Sequence, residues 1–446
     1  MSEPVATSGK GMKLHTKILL GLLVGLALGI TANLTLGSGH RLVAGINTYV
    51  AGPVGQVFLR MLFMVVMPLV FASIALGVAG VGDIRKAGRM AGKTLVYFFV
   101  TTALAATLGL LIVNVARPWD RVAPETRAGL MAEFAGDAAA RVETSEQQRF
   151  GIETIVSIVP RNPIDSGARG DMLGVIFFGL MFGAALTVIS AAKAQPMIAF
   201  LDALNAVVTA IIHFAMLLAP YGVAGLIFTV SSQFGFDLML AVAAFVVTVL
   251  VALVLHVVIT LSASVWFLGG MSPVLFYSRI RAVIVTAFST SSSAATLPTS
   301  IDVAQEQLGV PQRIAGFVLP LGSTLCMNGT AIFEGITVIF LAQIFDIGLS
   351  IGQMVLVIIM SVITAIGAAG VPGGSIPLLV GVLTMFGVPG EGIAIVLGVD
   401  RILDMSRTTV NVIGDHTAAI WLGRSEGVWS AAQVPSPGKM LVDAKP

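Results

Sequence analysis

Apolar residues run in long unbroken stretches through this chain, at 14–36, 48–80 and 88–116, in broken stretches over 152–192, and again at 196–231 and 236–269. Crossing about 30 Å of hydrocarbon takes about 20 residues of helix, so each long run predicts a membrane span. The pattern changes after Pro273. From there, small and polar residues interrupt the apolar segments in their middles, first at Ser289-Thr-Ser-Ser-Ser-Ala-Ala-Thr-Leu-Pro298 and then at Gly367-Ala-Ala-Gly-Val-Pro-Gly-Gly-Ser-Ile-Pro377. Flanks of about 10–15 apolar residues are too short to span but long enough for a re-entrant helical hairpin. One such run alone reads as an ordinary loop between complete helices. Two of them, both with short flanks, predict two hairpins. Lipid cannot hydrogen-bond non-helical backbone, which survives at membrane depth only when buried in protein or lining a watery cavity. The tips are therefore expected to meet at a site. The order hairpin, helix, hairpin, helix over 273–425 reads as two copies of one unit, the arrangement that marks the binding site of a secondary transporter.

The last segment carries a polar stripe. At about 100° per residue, Asp400, Asp404, Arg407, Asn411 and Asp415 fall within roughly 80° of one helix circumference. Ile402, Leu403, Val410, Val412 and Ile413 occupy the other faces. Ionisable groups inside a bilayer are costly unless paired or watered, so the stripe must face a cavity or partner groups. An amphipathic helix lying on the membrane surface is the alternative. Apolar residues continuing at 392–397 and 418–422 argue against it.

Arg407 offers a planar fork that can hold a carboxylate by two parallel hydrogen bonds. Asp404, one turn earlier, can accept from an ammonium. Together they describe a pocket for an acidic amino acid whose second carboxylate docks on hydroxyls and backbone N–H groups at the hairpin tips. An internal Arg407–Asp404 ion pair that merely neutralises the helix is the other reading, and both can hold in different states of a cycle. Asp415 and Asn411 supply hard oxygens suited to sodium, with carbonyls from the preceding broken helix completing the shell. A second cluster, Cys326-Met-Asn328-Gly329-Thr330-Ala-Ile-Phe-Glu334, lies in the apolar segment 314–344. Gly329 is expected to break or loosen that helix. Glu334, its lone carboxylate, is either a proton carrier or a neutral structural acid.

Composition agrees with a bilayer setting and removes other classes. Of 446 residues 56% are hydrophobic and 11% charged, and the mean hydropathy is +0.96, outside the range of soluble domains. A net charge of +2 from scattered basic residues gives no nucleic-acid footprint. The single Cys326 excludes an intramolecular disulfide, and the five histidines show no metal-ligand spacing. Ser291–Ser293 have no nearby His or Lys to act as base, so hydrolase chemistry is set aside and the chain is read as no enzyme. A channel tends to repeat a pore motif around an axis, whereas this stripe occurs once per chain. Lys10, Lys13 and Lys17 precede the first apolar run, which by itself resembles a signal peptide; the spans behind it favour a first transmembrane helix. With Arg85, Lys86, Arg89 and Lys93, and later Arg279 and Arg281, these residues mark cytoplasmic segments by the positive-inside rule. The polar insertion 117–149 then lies outside and is expected to be a mobile loop.

The serine-rich tip ending Ala-Thr-Leu-Pro298, Met327-Asn328-Gly329-Thr330-Ala331, Gly370-Val-Pro-Gly373 and Asp404-Met-Ser-Arg407-Thr-Thr-Val-Asn411-Val-Ile-Gly-Asp415 together closely resemble the dicarboxylate/amino acid:cation symporter family, the glutamate transporter homologues. The resemblance implies an all-α polytopic fold of eight transmembrane helices and two oppositely oriented re-entrant hairpins in inverted repeats. It implies a homotrimer in the cell inner membrane, embedded in lipid, multi-pass, with both termini cytoplasmic. It also implies a transport unit that slides against a fixed scaffold. The parts expected are N-terminal helices at 1–117, an extracytoplasmic loop at 118–151, further scaffold and transport helices at 152–270, a transport core at 271–425 and a tail at 426–446. By family pattern the substrate meets Ser291, Ser292, Ser293, Thr330, Val371, Gly373, Asp404, Arg407, Thr408 and Asn411. Sodium is implied at Asn411 and Asp415, and at carbonyls around Ala365, Ala368 and Thr324.

The departures from the family pattern carry information. A third cation site there uses the motif Asn-Met-Asp-Gly-Thr, which here reads Cys326-Met-Asn328-Gly-Thr, so that only Thr101, Thr102 and Asn328 remain to match it. Glu334 falls where proton-coupled members carry a glutamate. The implied coupling ion is sodium, a proton or both, and no other cofactor is expected. Members with a second arginine place it at positions that read Ser291 and Met405 here. Arg401 instead follows Asp400, as in the C4-dicarboxylate carriers of the family. Those carriers lack an acid equivalent to Asp404. The leading expectation is therefore a cation-coupled symporter for aspartate or glutamate, with a C4-dicarboxylate symporter as the alternative and an ion channel as a remote one.

Overall fold

A computed structural model describes residues 12, 14–37, 39–86, 89–133, 159–169, 171–368 and 372–434. Within them every regular element is helical. This follows from the sequence pattern, because a helix satisfies all its backbone groups internally and so suits an apolar surrounding. Among the described residues six helices are long and apolar enough to cross a membrane: Thr16–Leu36, Arg41–Leu76, Arg89–Arg121, Ala191–Phe236, Leu238–Gly269 and Gln312–Ile344. The chain is a polytopic all-α membrane protein.

Helix α1, Leu14–Leu36, lies along a later, much longer helix. Its Gly21, Gly25 and Gly29 face Pro220, Ala224 and Ser231, and a methyl group on any of them would strike that neighbour. The second apolar run is longer and less regular than its sequence suggests. It starts with α2, Arg41–Ile46, continues through a π-turn into α3, Gly52–Phe63, and turns at Met64–Val65 into α4, Val66–Lys86. Helix α5, Arg89–Ala116, matches its expected span.

The insertion that follows departs from the expected mobile loop. Its first part is folded: Trp119 is buried, the Arg127 guanidinium donates to the Trp119 carbonyl at 2.7 Å, and α6 covers Pro124–Glu133 with Leu130 buried. Apolar anchors inside a polar stretch supply the reason. Residues 134–158 lie outside the described set. After α7, Pro163–Arg169, and α8, Met172–Val188, the chain enters α9, Ala191–Leu255, the partner of α1. Gly235 interrupts α9 at φ 68°, ψ −152°, a conformation open mainly to glycine. This separates the two spans expected on either side of 231–236.

Both predicted reversals occur. In the first, α10, Pro273–Arg279, leads into α11, Arg281–Thr290, and α12, Ser293–Glu306, returns alongside α11. The sequence suggested a broad tip over 289–298, but the reversal takes only Ser291 and Ser292. Ser291 adopts φ 51°, and the Ser292 hydroxyl caps α12 by accepting from the Ala295 N–H at 3.1 Å. That side-chain cap lets the helix begin at once. Helices α13, Gln312–Leu325, and α14, Asn328–Ile344, form one broken rod. The break lies at Cys326–Met327 rather than at Gly329, which belongs to the first turn of α14. Gly329 has another reason to be small: a Cβ there would strike the Arg407 carbonyl.

The second reversal joins α15, Ile351–Gly367, to α16, Ile376–Met385, which pack together. Residues 369–371, including Gly370 and Val371, lie outside the described set. A short α17, Ala394–Leu397, precedes α18, Asp400–Ser425. Helices α5, α11, α12, α13 and α14 all pack on α18. Its stripe, Asp400 to Asp415, is buried throughout, which removes the surface-helix alternative. Beyond α18 the chain docks once more: Trp429 is buried and its indole N–H donates to the Leu308 carbonyl at 2.8 Å.

Candidate functional site

Arg407 is the centre of the site and is 1% exposed. Its guanidinium donates to Asp400 Oδ1 from one terminal nitrogen at 2.9 Å, and to Asp404 Oδ1 from Nε at 3.1 Å and from the other terminal nitrogen at 2.9 Å. Its carbon lies 4.3 Å from the centre of the Phe333 ring on α14, a cation–π contact. Asp404 uses its second oxygen to accept from the Gly373 N–H at the second tip, 3.2 Å away, and Arg401 stands 3.6 Å from that oxygen. Two carboxylates and two guanidiniums thus sum to zero formal charge. That balance makes the burial tolerable. The internal ion pair left open by the sequence is therefore present, and it is a triad with Asp400.

A cavity of about 20 Å³ adjoins this cluster, room for about one water. Its walls bring together Ser291 and Ser293 from the first tip, Thr330 from α14, Ala368 and Ser375 from the second reversal, and Asp404, Arg407, Thr408 and Asn411 from α18. Met327 and Ser375 are wall residues the sequence reasoning missed; both stand inside or beside quoted motifs, Ser375 two residues past Gly373. Ser292 is not in the wall, because its side chain caps α12. Gly373 reaches the site by its backbone N–H, and Val371 is outside the described residues. The hydroxyls of Ser291 and Ser375 are buried without a hydrogen-bond partner among the described residues. One free donor from each reversal thus meets at the cavity.

One turn further along α18, Asn411 ties the start of α14. Its oxygen accepts from the Gly329 N–H at 2.7 Å and its amide donates to Thr330 Oγ1 at 3.2 Å. Asp415 lies against Gly322 and Cys326, with Oδ1 unpartnered among the described residues. Thr102 donates to Asn328 Oδ1 at 2.8 Å, while Thr101 turns back to the Tyr97 and Phe98 carbonyls. Of the three residues proposed for the doubtful cation site, the side chains of two are thus joined. Thr324 is exposed and donates to its own Leu321 carbonyl; Ala365 and Ala368 are buried, and the Ala365 carbonyl accepts from the Ala368 N–H.

Glu334 is fully buried on α14. The Thr364 hydroxyl is 2.6 Å from Glu334 Oε2 and 2.6 Å from the Met360 carbonyl. A hydroxyl has one hydrogen. Both contacts are hydrogen bonds only when the Glu334 carboxyl brings a hydrogen of its own.

The profile of the Sodium:dicarboxylate symporter family matches residues 14–425. The chain belongs to that family. Members of this family are secondary transporters rather than enzymes. The chain is 34% identical over 416 residues to a proton/sodium-glutamate symport protein of Geobacillus stearothermophilus, covering 93% of this chain and 94% of that one. It is 33% identical over 410 residues to the proton/glutamate-aspartate symporter of Escherichia coli (strain K12), covering 92% of each. A C4-dicarboxylate transport protein of Bacillus subtilis (strain 168) is 34% identical over 386 residues, 85% of this chain and 89% of the relative. Comparable identity to both kinds of carrier leaves substrate choice to the site residues of this transporter.

Proposed function

We propose that this symporter-family member imports an acidic amino acid, aspartate or glutamate, driven by protons, sodium or both. One observation carries the reading: Asp404 and Arg407 stand side by side in the wall of a cavity that both reversals reach. An acid for the ammonium and a fork for the side-chain carboxylate meet at one place, and the free Ser291 and Ser375 hydroxyls are placed for the other carboxylate. A cavity of about 20 Å³ is far smaller than such a ligand. Loading therefore requires Arg407 to leave part of its triad and a tip to move. The Gly373–Asp404 hydrogen bond is the link between the second tip and the charges.

The pairing of Glu334 with Thr364 supports proton coupling, and the unpartnered Asp415 oxygen beside Asn411 supports a sodium ligand. The reading extends to eight spans, two re-entrant hairpins and a homotrimer in which a transport unit moves against a scaffold, with both termini cytoplasmic in an inner membrane. Labelled aspartate uptake into proteoliposomes, with the sodium and pH gradients imposed separately, tests substrate and coupling together. Accumulation above equilibrium is expected, with an inward proton gradient sufficient in sodium-free buffer and Glu334→Gln abolishing that mode. No accumulation under either gradient would overturn the proposal.

A further inference from the structure

Arg401 is the one charge of the cluster that this reading leaves unused. Its side chain is 10% exposed, its NH1 stands 3.6 Å from Asp404 Oδ2, and its Nε is buried without a hydrogen-bond partner among the described residues. Asp404 thus has a cation on each oxygen, Arg407 on Oδ1 and Arg401 on Oδ2. Among the described residues Asp400 is paired with Arg407 alone, at 2.9 Å.

This asymmetry matters when a ligand carboxylate takes the Arg407 fork. A buried carboxylate stripped of its cation is strongly unfavourable. A ligand with an α-ammonium supplies Asp404 with a replacement cation, but a plain dicarboxylate supplies none. Arg401 lies on the oxygen that Arg407 does not use, and it can stay there while Arg407 turns to the ligand. We propose that Arg401 is a specificity-determining residue. By remaining as counter-charge to Asp404, it lets the site accept four-carbon dicarboxylates without an amino group as well as amino dicarboxylates. The proposal rests on the reading of Asp404 and Arg407 as substrate groups. The free Ser291 and Ser375 hydroxyls are neutral donors and serve either ligand.

The test measures binding of aspartate and of succinate to the purified full-length protein by calorimetry, in sodium buffer at neutral and mildly acidic pH. The wild type is expected to bind both. Arg401→Gln should weaken succinate more than aspartate, shifting the ratio of the two affinities by about 100-fold, the scale of a buried charge losing its partner. Arg401→Lys should restore the ratio, since it keeps the charge. In an Asp404→Asn background there is no charge to balance, so the further Arg401→Gln change should no longer discriminate against succinate. Wild-type protein that binds aspartate but not succinate overturns the proposal and leaves the transport reading standing. Equal weakening of both ligands by Arg401→Gln overturns it too, assigning Arg401 a purely structural part. Wild-type protein that binds neither ligand overturns the site reading and this inference with it.

Discussion

Helix α1 and the α13–α14 rod are both apolar enough to cross a membrane, yet only 17% of the most apolar stretch of the first is buried in protein and all of that of the second. In α1, Leu23, Leu28 and Leu34 point outward while the glycine face meets α9. In α14 the apolar side chains meet other side chains, and the same helix holds Asn328, Thr330 and Glu334 away from any lipid. Similar hydropathy therefore serves opposite ends. One helix offers its apolar side chains outward, as lipid contact requires, and the other builds a dry protein interior in which a few polar groups can be placed and matched.

The sharpest way to break this comparison is to remove a large side chain from each helix. Phe340 on α14 is fully buried and stacks on Phe245 at 4.7 Å between ring centres. Phe340→Ala should cost about 3–5 kcal/mol through the cavity it leaves. Leu28→Ala on α1, at a position 58% exposed, should change stability by less than about 0.5 kcal/mol. Thermal unfolding in a lipid–detergent mixture checks both, and equal losses would show that the two helices are not differently supported. Arg407→Ala should cost a similar 3–5 kcal/mol, because it strands Asp400 and leaves Asp404 with Arg401 alone. Arg407→Lys keeps the charge but loses the fork, so it should recover stability without recovering aspartate affinity.

Thr364→Val comes next in size. It removes the oxygen that Glu334 faces, leaving a buried carboxyl unmatched at a cost of about 1–3 kcal/mol. The pH dependence of sodium-free uptake should move with it, and an unchanged profile would detach Glu334 from proton coupling. Ser291→Gly should act with opposite signs on two readouts. Ser291 holds φ 51°, strained for any residue with a side chain, so glycine should raise stability by up to about 1 kcal/mol. It also deletes the free hydroxyl at the cavity, so aspartate binding should weaken.

Much of the interior was legible because periodicity reports which side chains share a face. The stripe from Asp400 to Asp415 is buried as one face, and both interrupted segments reverse near the expected residues. Periodicity carries no information on local capping, which is why the first tip looked ten residues wide from its serines and threonines and proved to be a two-residue turn. Nor does it separate a glycine that breaks a helix from one that admits a neighbour: Gly329 does the second, and the break falls at Cys326–Met327. Pairwise choices were equally out of reach. The sequence left Arg407 free to pair with Asp404 or a ligand, and put Asp400 on the same face without showing that it shares the guanidinium, at 2.9 Å. The fold inside the polar insertion was hidden because Trp119 and Leu130 are isolated apolar residues, too few to register as a pattern.

The smallest expected effect lies where the buried rod's packing partner α18 ends. Glu426 accepts from Lys93 at 2.7 Å and from Arg89 at 2.9 Å, joining the start of α5 to the end of α18. Hydrogen bonds from Lys93 and then Arg89 hold the Glu426 carboxyl below its ordinary range. A carboxylate with a lowered folded value contributes stability that is present above its ordinary value and is lost as pH falls through the lowered one. Glu426→Gln should therefore lower the unfolding temperature slightly at neutral pH, and the gap should close in acid. Because both cations reach solvent, Arg89 more than Lys93, added salt should shrink the neutral-pH gap as well. A gap that persists in acid and in high salt would mean that Glu426 works by packing, and that even the end of α18 shares the matched interior of the rod rather than the solvent-screened chemistry of a surface.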